Sequence, residues 1–352
     1  MVRRRVRKVP KDPLRIVAIG GGTGLSALLH GLKQHAGPGG FDLDITAVVT
    51  VTDDGGSSGR LRRDFAVLPP GDIRNCMVAM SEDEALLSKL FQYRFSSGRG
   101  LKGHSFGNLF LTALTDLTGD FAKAVQLSSE VLASCGRIYP STATNVVLEA
   151  VLTDGRVVSG ESRISKSKVP IQRIQTVPRE CEPIGETLAA IENADLITLG
   201  PGSLFTSVIP NLLVKGIPEA IQQSQAVKAY FVNLMWQPGE TMNFRASDHV
   251  AAIHSHAGRP ILDYAMVNTR PITAPLKRRY ATQNAQPVEN DVERVAELGV
   301  RVVGQKLVCE GEKVRHDSAA IADIAIRLAG EGRRRKLRLN GQINEWKQDS
   351  AL

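Results

Sequence analysis

Residues 16–26 read IVAIGGGTGLS, an apolar run followed by four glycines in five positions. The run is typical of a buried strand over 15–19, and the residues after it have the apolar spacing of a helix over 24–34. Glycine lets the backbone approach a phosphate closely, and a helix N-terminus offers unpaired N–H groups. The stretch predicts a phosphate-binding turn, although glycines also occur where a strand and a helix pack closely. The candidate residues are Gly20, Gly21, Gly22, Thr23 and Gly24.

The spacing Gly22-x-Gly24-x-x-Ala27 also fits a dinucleotide-binding pattern. A nicotinamide ribose is normally held by an acidic residue about 20 positions further along. The nearest acids at a strand's carboxyl end, Asp53 and Asp54, come later than that. A hydride-transferring enzyme is therefore not predicted.

Outward from this turn, short apolar runs alternate with segments of helical spacing, which predicts an α/β fold with a mainly parallel, Rossmann-like sheet flanked by helices. Further strands are expected at 45–52, 196–199, 229–234 and 264–267, and helices at 86–95, 107–117, 121–133 and 319–328. The turn sequence 153–156 between the runs 146–152 and 157–160 favours a hairpin, a small antiparallel appendage. We expect a single domain over 15–330, two domains being the alternative, with basic tails at 1–14 and 331–352.

The formal net charge of +8 would by itself favour nucleic-acid binding. The excess lies at the ends, because residues 1–15 hold seven basic residues and one acidic, and residues 331–338 hold five basic and one acidic. Residues 16–330 have a net charge of −1 and no patch of interleaved basic and aromatic residues. Nucleic-acid binding is therefore not predicted for the core.

Neither the apolar runs nor the cysteines point to a membrane or secreted protein. No uncharged apolar run approaches the roughly 18 residues that a membrane span requires, so no integral membrane segment is predicted. The four cysteines lie far apart without zinc spacing, which suits a reducing cytoplasm. They are Cys76, Cys135, Cys181 and Cys309.

Three polar motifs between the first two glycine-rich turns carry further candidates. Asp53 and Asp54 follow a predicted strand and could hold a metal, accept a ribose hydroxyl or act as a base, or they could simply cap a solvated turn. The segment 69–75 joins a turn to a helix start that carries Asp72, Arg74 and Asn75. Arginine can bind phosphate in a fork and asparagine an amide or hydroxyl, but the spacing equally fits a helix capped by aspartate with a surface arginine. His104 and Asn108 precede and begin an apolar helix, where His104 could contact an anion or be purely structural.

A second strand, glycine turn and helix occurs at 194–207 and supplies Gly200, Gly202 and Ser203. Two such turns in one chain could grip both ends of a pyrophosphate or of a nucleotide sugar. The pair is stronger evidence than either turn, although an α/β protein could have two ordinary turns of this kind.

Five motifs occur in order along the chain: GGGTG at 20–24, TDDGGSSG at 52–59, PGDIRN at 70–75, GHSFGN at 103–108 and GPGSLF at 200–205. Together they resemble the YvcK-type gluconeogenesis factor family, a branch of the CofD-like (2-phospho-L-lactate transferase) superfamily. The resemblance covers about residues 14–328. It implies a Rossmann-like fold and a bound nucleotide sugar, UDP-N-acetylglucosamine or UDP-glucose, in proteins that link gluconeogenic growth to wall synthesis and cell shape.

The resemblance also implies which other residues bind the nucleotide sugar. Tyr280, and Arg315 in the sequence Arg315-His316-Asp317, match a tyrosine and an arginine on which binding depends in that family. An aromatic ring can stack on a base, and arginine can clamp a diphosphate. No reaction is assigned to that branch, so the catalytic residues are unknown and no metal or other cofactor is expected. The alternative, a transferase of phosphorylated groups, would use Mg²⁺, and the sequence leaves a homo-oligomer open.

Overall fold

The computed structural model describes residues 12–37, 40–81 and 86–341. Within them the strands are, in chain order, β1 (Leu14–Gly20), β2 (Leu43–Val49), β3 (Arg137–Pro140), β4 (Val147–Leu152), β5 (Val157–Ser159), β6 (Ile171–Val177), β7 (Leu196–Leu199), β8 (Val227–Phe231), β9 (Tyr264–Asn268), β10 (Arg301–Gln305), β11 (Val308–Glu310) and β12 (Val314–His316).

The helices in the same residues are α1 (Gly22–His35), α2 (Gly56–Phe65), α3 (Gly71–Met80), α4 (Leu86–Gln92), α5 (Phe106–Thr118), α6 (Phe121–Val131), α7 (Glu161–Ile164), α8 (Gly185–Asn193), α9 (Ile209–Leu212), α10 (Ile217–Gln223), α11 (Ala246–Ala257), α12 (Ala274–Ala281), α13 (Val292–Glu297) and α14 (Ser318–Leu339). A π-helical turn, Leu204–Val208, leads into α9.

Seven of the described strands form one parallel sheet in the order β10-β9-β8-β7-β1-β2-β3. The first described strand, β1, lies in the interior of the sheet, and β2 and β3 follow it outward to one edge. The chain then returns to the other side of β1 with β7 and moves outward through β8, β9 and β10. The strand order thus reverses between β1 and β7, which is the topological switch point of a doubly wound sheet. The predicted Rossmann-like α/β class is confirmed.

The central strands form because their apolar residues can be buried on both faces of the sheet. Ile16, Ala18 and Ile19 of β1 are fully buried, and all four residues of β7 are buried. A parallel strand covered by helices on both sides needs such a continuous apolar run. Helix α1 packs against α14, and α14 also contacts β1, β7 and β8. Helices α8 and α9 contact β1 as well.

Two small antiparallel sheets extend the central one. The described strands β5, β4 and β6 pair in that order, and the β4–β5 hairpin turns through residues 153–156 as the sequence predicts. The second sheet is the β11–β12 hairpin, which brings Arg315 and His316 toward the start of α14. The predicted antiparallel appendage is therefore confirmed.

The closing helix is longer than the sequence indicated. It is capped by Asp317, whose carboxylate accepts from the N–H groups of Ala319 and Ala320, and it continues to Leu339 rather than ending at residue 328. The division expected at residue 330 falls inside this helix. Of the expected tails, residues 1–11 and 342–352 lie outside the described residues.

In the part of the chain that the structure describes, no single helix is both long and apolar enough to cross a membrane. One sharply bent pair, Leu204–Leu212 with Ile217–Gln223, meets the length and composition criterion only when its two members are joined.

Candidate functional site

The two glycine-rich turns lie side by side at the switch point. The N–H of Gly200 donates to the carbonyl oxygen of Ile19, where β7 and β1 end. A methyl group placed on Gly24 would lie 2.5 Å from the carbonyl oxygen of Pro201. The two turns lie next to each other because they follow β1 and β7, which are neighbouring strands in the sheet.

The N-terminus of α1 opens into a cavity between these turns. Gly21 occupies the N-cap position, where it has no side chain to cap the helix, and Gly22 has a φ of +63°, which favours glycine. The first N–H groups of a helix have no partner within it. An anion beside α1 would therefore meet backbone donors and the positive end of the helix dipole.

This cavity, called the nucleotide cavity below, has a volume of about 520 Å³. Its predicted residues come from four separate parts of the chain and include Tyr280, whose hydroxyl accepts from the N–H of Val314. The cavity also contains Trp236 and Asn233, and the Nδ2 of Asn233 donates to the carbonyl oxygen of Gly202. The predicted site residues that line it are Gly21, Gly22, Thr23, Gly24, Gly202, Ser203, Tyr280 and Arg315.

A cluster of carboxylates lies beside the turns. Burial, and then repulsion from Asp53, raises the pKa of Asp72 to about 6, and the N–H of Gly22 donates to that carboxylate. Burial raises the pKa of Glu240 to about 7, and one of its oxygens, Oε2, has no hydrogen-bond partner among the described residues. Burial, and then the neighbouring carboxylates, raise the pKa of Glu161 to about 9.

Asp54 is turned away toward the antiparallel appendage. Its Oδ1 accepts from the N–H of Ser162 at 2.8 Å, so it fixes the short helix α7 against the loop after β2. Asp53 accepts from the N–H of Gly55, and its charge is one cause of the raised pKa of Asp72. The two adjacent aspartates therefore have different environments, which their identical residue type does not reveal.

The described residues contain no group of three or more His, Cys, Asp and Glu side chains arranged to hold a metal ion. Magnesium can be bound through one or two carboxylates when phosphate oxygens of the substrate complete its ligands. Asp53 and Asp72 are the carboxylates that would take that limited role, because Asp53 is close enough to raise the pKa of Asp72 and Asp72 accepts from the N–H of Gly22 at the start of α1.

Arg74 and Asn75 do not line the nucleotide cavity but a second, larger cavity beside it. His104 and Asn108 line neither of these two cavities. The Nδ1 of His104 is 3.0 Å from the hydroxyl of Ser57, and Asn108 donates to Ser58 at 3.4 Å. Both side chains are buried and connect α2 to the start of α5.

Sequence reasoning did not identify three residues of the site: Glu161, Glu240 and His316. Burial lowers the pKa of His316 to about 4, so the imidazole is neutral near pH 7, and its Nε2 has no partner among the described residues. His316 lines both cavities. In the sequence, only its position directly after the candidate residue Arg315 suggested that His316 belongs to the site.

We expect Glu161→Gln to stabilise the protein in a pH-dependent way. The folded state holds this carboxyl at a pKa of about 9 against 4.5 in the unfolded chain. Between these two pKa values the unfolded chain ionises Glu161 while the folded protein keeps it protonated, so its contribution lowers stability progressively as pH rises from 4.5 toward 9. The free energy of unfolding should rise by at least about 1 kcal/mol at pH 8 and hardly change at pH 5.

Urea unfolding followed by circular dichroism at the two pH values measures this effect. Glu192→Gln on the exposed side of α8 is the matched control and should change neither value. Equal behaviour of the two variants at pH 8 would contradict the carboxylate cluster.

The fold and site define a class of protein: a doubly wound α/β protein whose two glycine-rich turns enclose a cavity at the switch point. Residues 16–308 match the family model described as 2-phospho-L-lactate transferase CofD. The chain belongs to this CofD family, and its relatives place it in the YvcK-type branch.

The relatives include proteins named gluconeogenesis factor. The one from Bacillus subtilis is 46% identical over 318 residues, which cover 90% of this chain and 98% of that protein. The one from Halalkalibacterium halodurans is 47% identical over 309 residues, which cover 88% of this chain and 94% of that protein. A crystal structure of an upf0052 family member from Bacillus halodurans is 46% identical, superposes with a TM-score of 0.85, and covers 90% of this chain and 99% of its own.

Proposed function

We propose that this protein binds a nucleotide sugar, UDP-N-acetylglucosamine or UDP-glucose, in the nucleotide cavity. In this role it would act in the cytoplasm as a gluconeogenesis factor that links central carbon metabolism to cell-wall synthesis and cell shape. The observation that carries the proposal is the meeting of two glycine-rich turns with Tyr280 and Arg315 around one cavity. These four parts come from distant segments of the chain.

Each part suits a different portion of the ligand. The N-terminus of α1 and the turn after β7 offer backbone N–H groups for a diphosphate. Arg315 supplies a forked cation for the same group, and it is the only Lys or Arg among the described residues that line the cavity. Tyr280 and Trp236 offer aromatic faces for a base. The body of the protein has almost no net charge, so affinity would come from these local groups.

We expect UDP-N-acetylglucosamine to bind with one site per chain in isothermal titration calorimetry. Arg315→Ala should weaken binding at least about tenfold, because a charge-assisted fork to the diphosphate is lost. Tyr280→Ala should do the same, whereas Tyr280→Phe keeps the ring and should retain most of the affinity.

The matched control is Arg156→Ala, which removes an exposed arginine of the β4–β5 hairpin and should bind like the wild type. Absence of binding to the wild type, or equal binding by Arg315→Ala, would remove the proposal.

The carboxylate cluster favours a second candidate function, a Mg²⁺-dependent transferase of phosphorylated groups. Asp53 and Asp72 would hold the metal together with the phosphates of a nucleotide-activated substrate, and the metal would neutralise charge on the transferred group. Product formation from activated phospholactate and a deazaflavin acceptor, lost in Asp72→Asn, would favour this candidate over a binding regulator.

A further inference from the structure

We infer that the second cavity is a separate binding site for a small phosphorylated, hydroxyl-bearing metabolite, so that this protein takes two ligands side by side. This cavity, called the basic cavity below, has a volume of about 960 Å³ and lies between α1, α3, α4 and the start of α14. The inference goes beyond the proposed nucleotide-sugar site, and its test separates the two.

The charge of the basic cavity differs sharply from that of the nucleotide cavity. Its described lining contains five Lys or Arg side chains and one carboxylate, Asp317, which is occupied in capping α14. The five cations are Lys33, Arg74, Lys89, Arg94 and Arg315. A concave surface with such an excess of one sign concentrates ligands of the opposite sign.

Arg74 forms a buried cationic wall of this cavity. Its side chain is 9% exposed, and its Nη1 donates to Ser105 at 2.6 Å and its Nη2 to Asn75 at 2.5 Å. The remaining donor, Nε, is buried with no hydrogen-bond partner among the described residues. A buried donor without an acceptor is costly, and an anion in the cavity supplies one.

Arg94 adds a second guanidinium close to the first. Burial lowers the pKa of Arg74, and the charge of Arg94 lowers it further, which places the two cations within electrostatic reach of each other. Asp72 and Asp53 attract Arg74 from the opposite side, but neither carboxylate lines the basic cavity. An anion between the two guanidinium groups would relieve their repulsion.

The remaining lining indicates what the anion is attached to. Hydroxyl and amide side chains alternate with the cations, and these groups hydrogen-bond sugar or polyol hydroxyls. They are Ser26, Gln34, Asn75, Ser88 and Gln92. The two cavities share Thr23, Ala27, Arg315 and His316 as a common wall, so a ligand in one lies against a ligand in the other.

A single nucleotide sugar that spans both cavities does not account for these features. The N-terminus of α1 and Arg315 would already bind the diphosphate of such a ligand, and its sugar carries no charge. Four cations line the basic cavity and not the nucleotide cavity: Lys33, Arg74, Lys89 and Arg94. A single nucleotide sugar would bring no anion to them. Their presence fits a second set of negative charges.

The test is a calorimetric titration of inorganic pyrophosphate into the full chain saturated with UDP-N-acetylglucosamine, in buffer without divalent cations. We expect one equivalent to bind, with an affinity that the nucleotide sugar lowers by no more than about tenfold, because Arg315 is the one described cation that lines both cavities. Lys89→Gln and Arg94→Gln should each weaken pyrophosphate binding at least about tenfold.

Lys89→Gln tests the site more directly than Arg94→Gln, because it breaks no polar contact within the described part of the protein. Lys89 makes no hydrogen bond or ion pair to any residue that the structure describes, whereas Arg94 also donates to the carbonyl oxygen of Gly103. Arg156→Gln on the exposed hairpin is the matched control and should leave both ligands unaffected.

The outcomes distinguish the two sites. Tyr280→Ala should lose the nucleotide sugar and keep pyrophosphate, while Lys89→Gln should do the reverse. If UDP-N-acetylglucosamine fails to bind, the same variants are titrated with pyrophosphate alone. Absence of pyrophosphate binding, its displacement by UDP-N-acetylglucosamine, or wild-type binding by both Lys89→Gln and Arg94→Gln would overturn the inference.

Discussion

Replacement of Asp195 by alanine should lower the free energy of unfolding by about 3–5 kcal/mol, since it removes a buried carboxylate and leaves two partly buried cations without their charged partner. Asp195 lies just before β7 and is 1% exposed. Its carboxylate accepts from the Nε and Nη2 of Arg333 at 3.0 and 2.7 Å, and from the N–H of Arg15 at 2.9 Å. Lys336 is 3.5 Å away.

The loss is large because one carboxylate joins three parts of the fold. Arg333 and Lys336 belong to the second half of α14, and Arg15 to β1. Arg333 also donates to the carbonyl oxygen of Pro13, so the same cluster fixes the first described residues of the chain. Without Asp195 the basic end of α14 would keep its contacts to the carbonyl oxygens of Pro13 and Asn193 but would lose the buried charge that it shares with β1.

Urea unfolding monitored by circular dichroism measures the effect. Asp195→Asn should lose less than the alanine variant, because an amide oxygen can still accept from Arg15. The matched control is Asp154→Ala, which breaks the exposed pair with Arg156 and should leave the free energy of unfolding nearly unchanged. Equal values for Asp195→Ala and Asp154→Ala would show that the cluster contributes no stability.

This cluster also explains why the end of the closing helix was not predictable. The run of arginines at 333–335 has the composition of a solvated tail, and no local pattern indicates that Arg333 reaches a buried carboxylate 138 positions earlier. By contrast β1, β7 and the β4–β5 hairpin follow from local apolar runs and turn residues. The edge strands β3 and β10 have mixed composition and were not predicted, because no local apolar run marks them.

The residues of the candidate site also fall into those that a local sequence pattern identifies and those that only the tertiary structure brings together. The glycine turns are local patterns, so their residues could be named from the sequence, and resemblance added Tyr280 and Arg315. Glu161 and Glu240 were missed because each belongs to a segment without any recognisable motif. The antiparallel appendage brings Glu161 within electrostatic reach of Asp72 and of Glu240, which lies in the loop after β8, and this proximity depends on tertiary structure alone.

Gly24→Ala should disrupt the cleft and the fold together, lowering the free energy of unfolding by about 2–3 kcal/mol. Gly24 lies within α1, where alanine would normally stabilise the helix by about 1 kcal/mol. The new methyl group, however, would lie 2.5 Å from the carbonyl oxygen of Pro201 and 2.9 Å from the N of Gly202. Both contacts are backbone atoms, so one of the two turns must move, and the steric cost exceeds the gain in helix propensity.

The displaced turn carries Gly202 and Ser203 into a new position, so affinity for UDP-N-acetylglucosamine should fall at least about tenfold. The matched control is Gly185→Ala at the start of α8, where nothing lies within 4 Å of the added methyl group. That variant should be slightly more stable than the wild type and should bind normally. Denaturant unfolding and calorimetry on the two variants decide the matter: a Gly24→Ala protein with wild-type stability and affinity would mean that the turns after β1 and β7 are not packed as a unit.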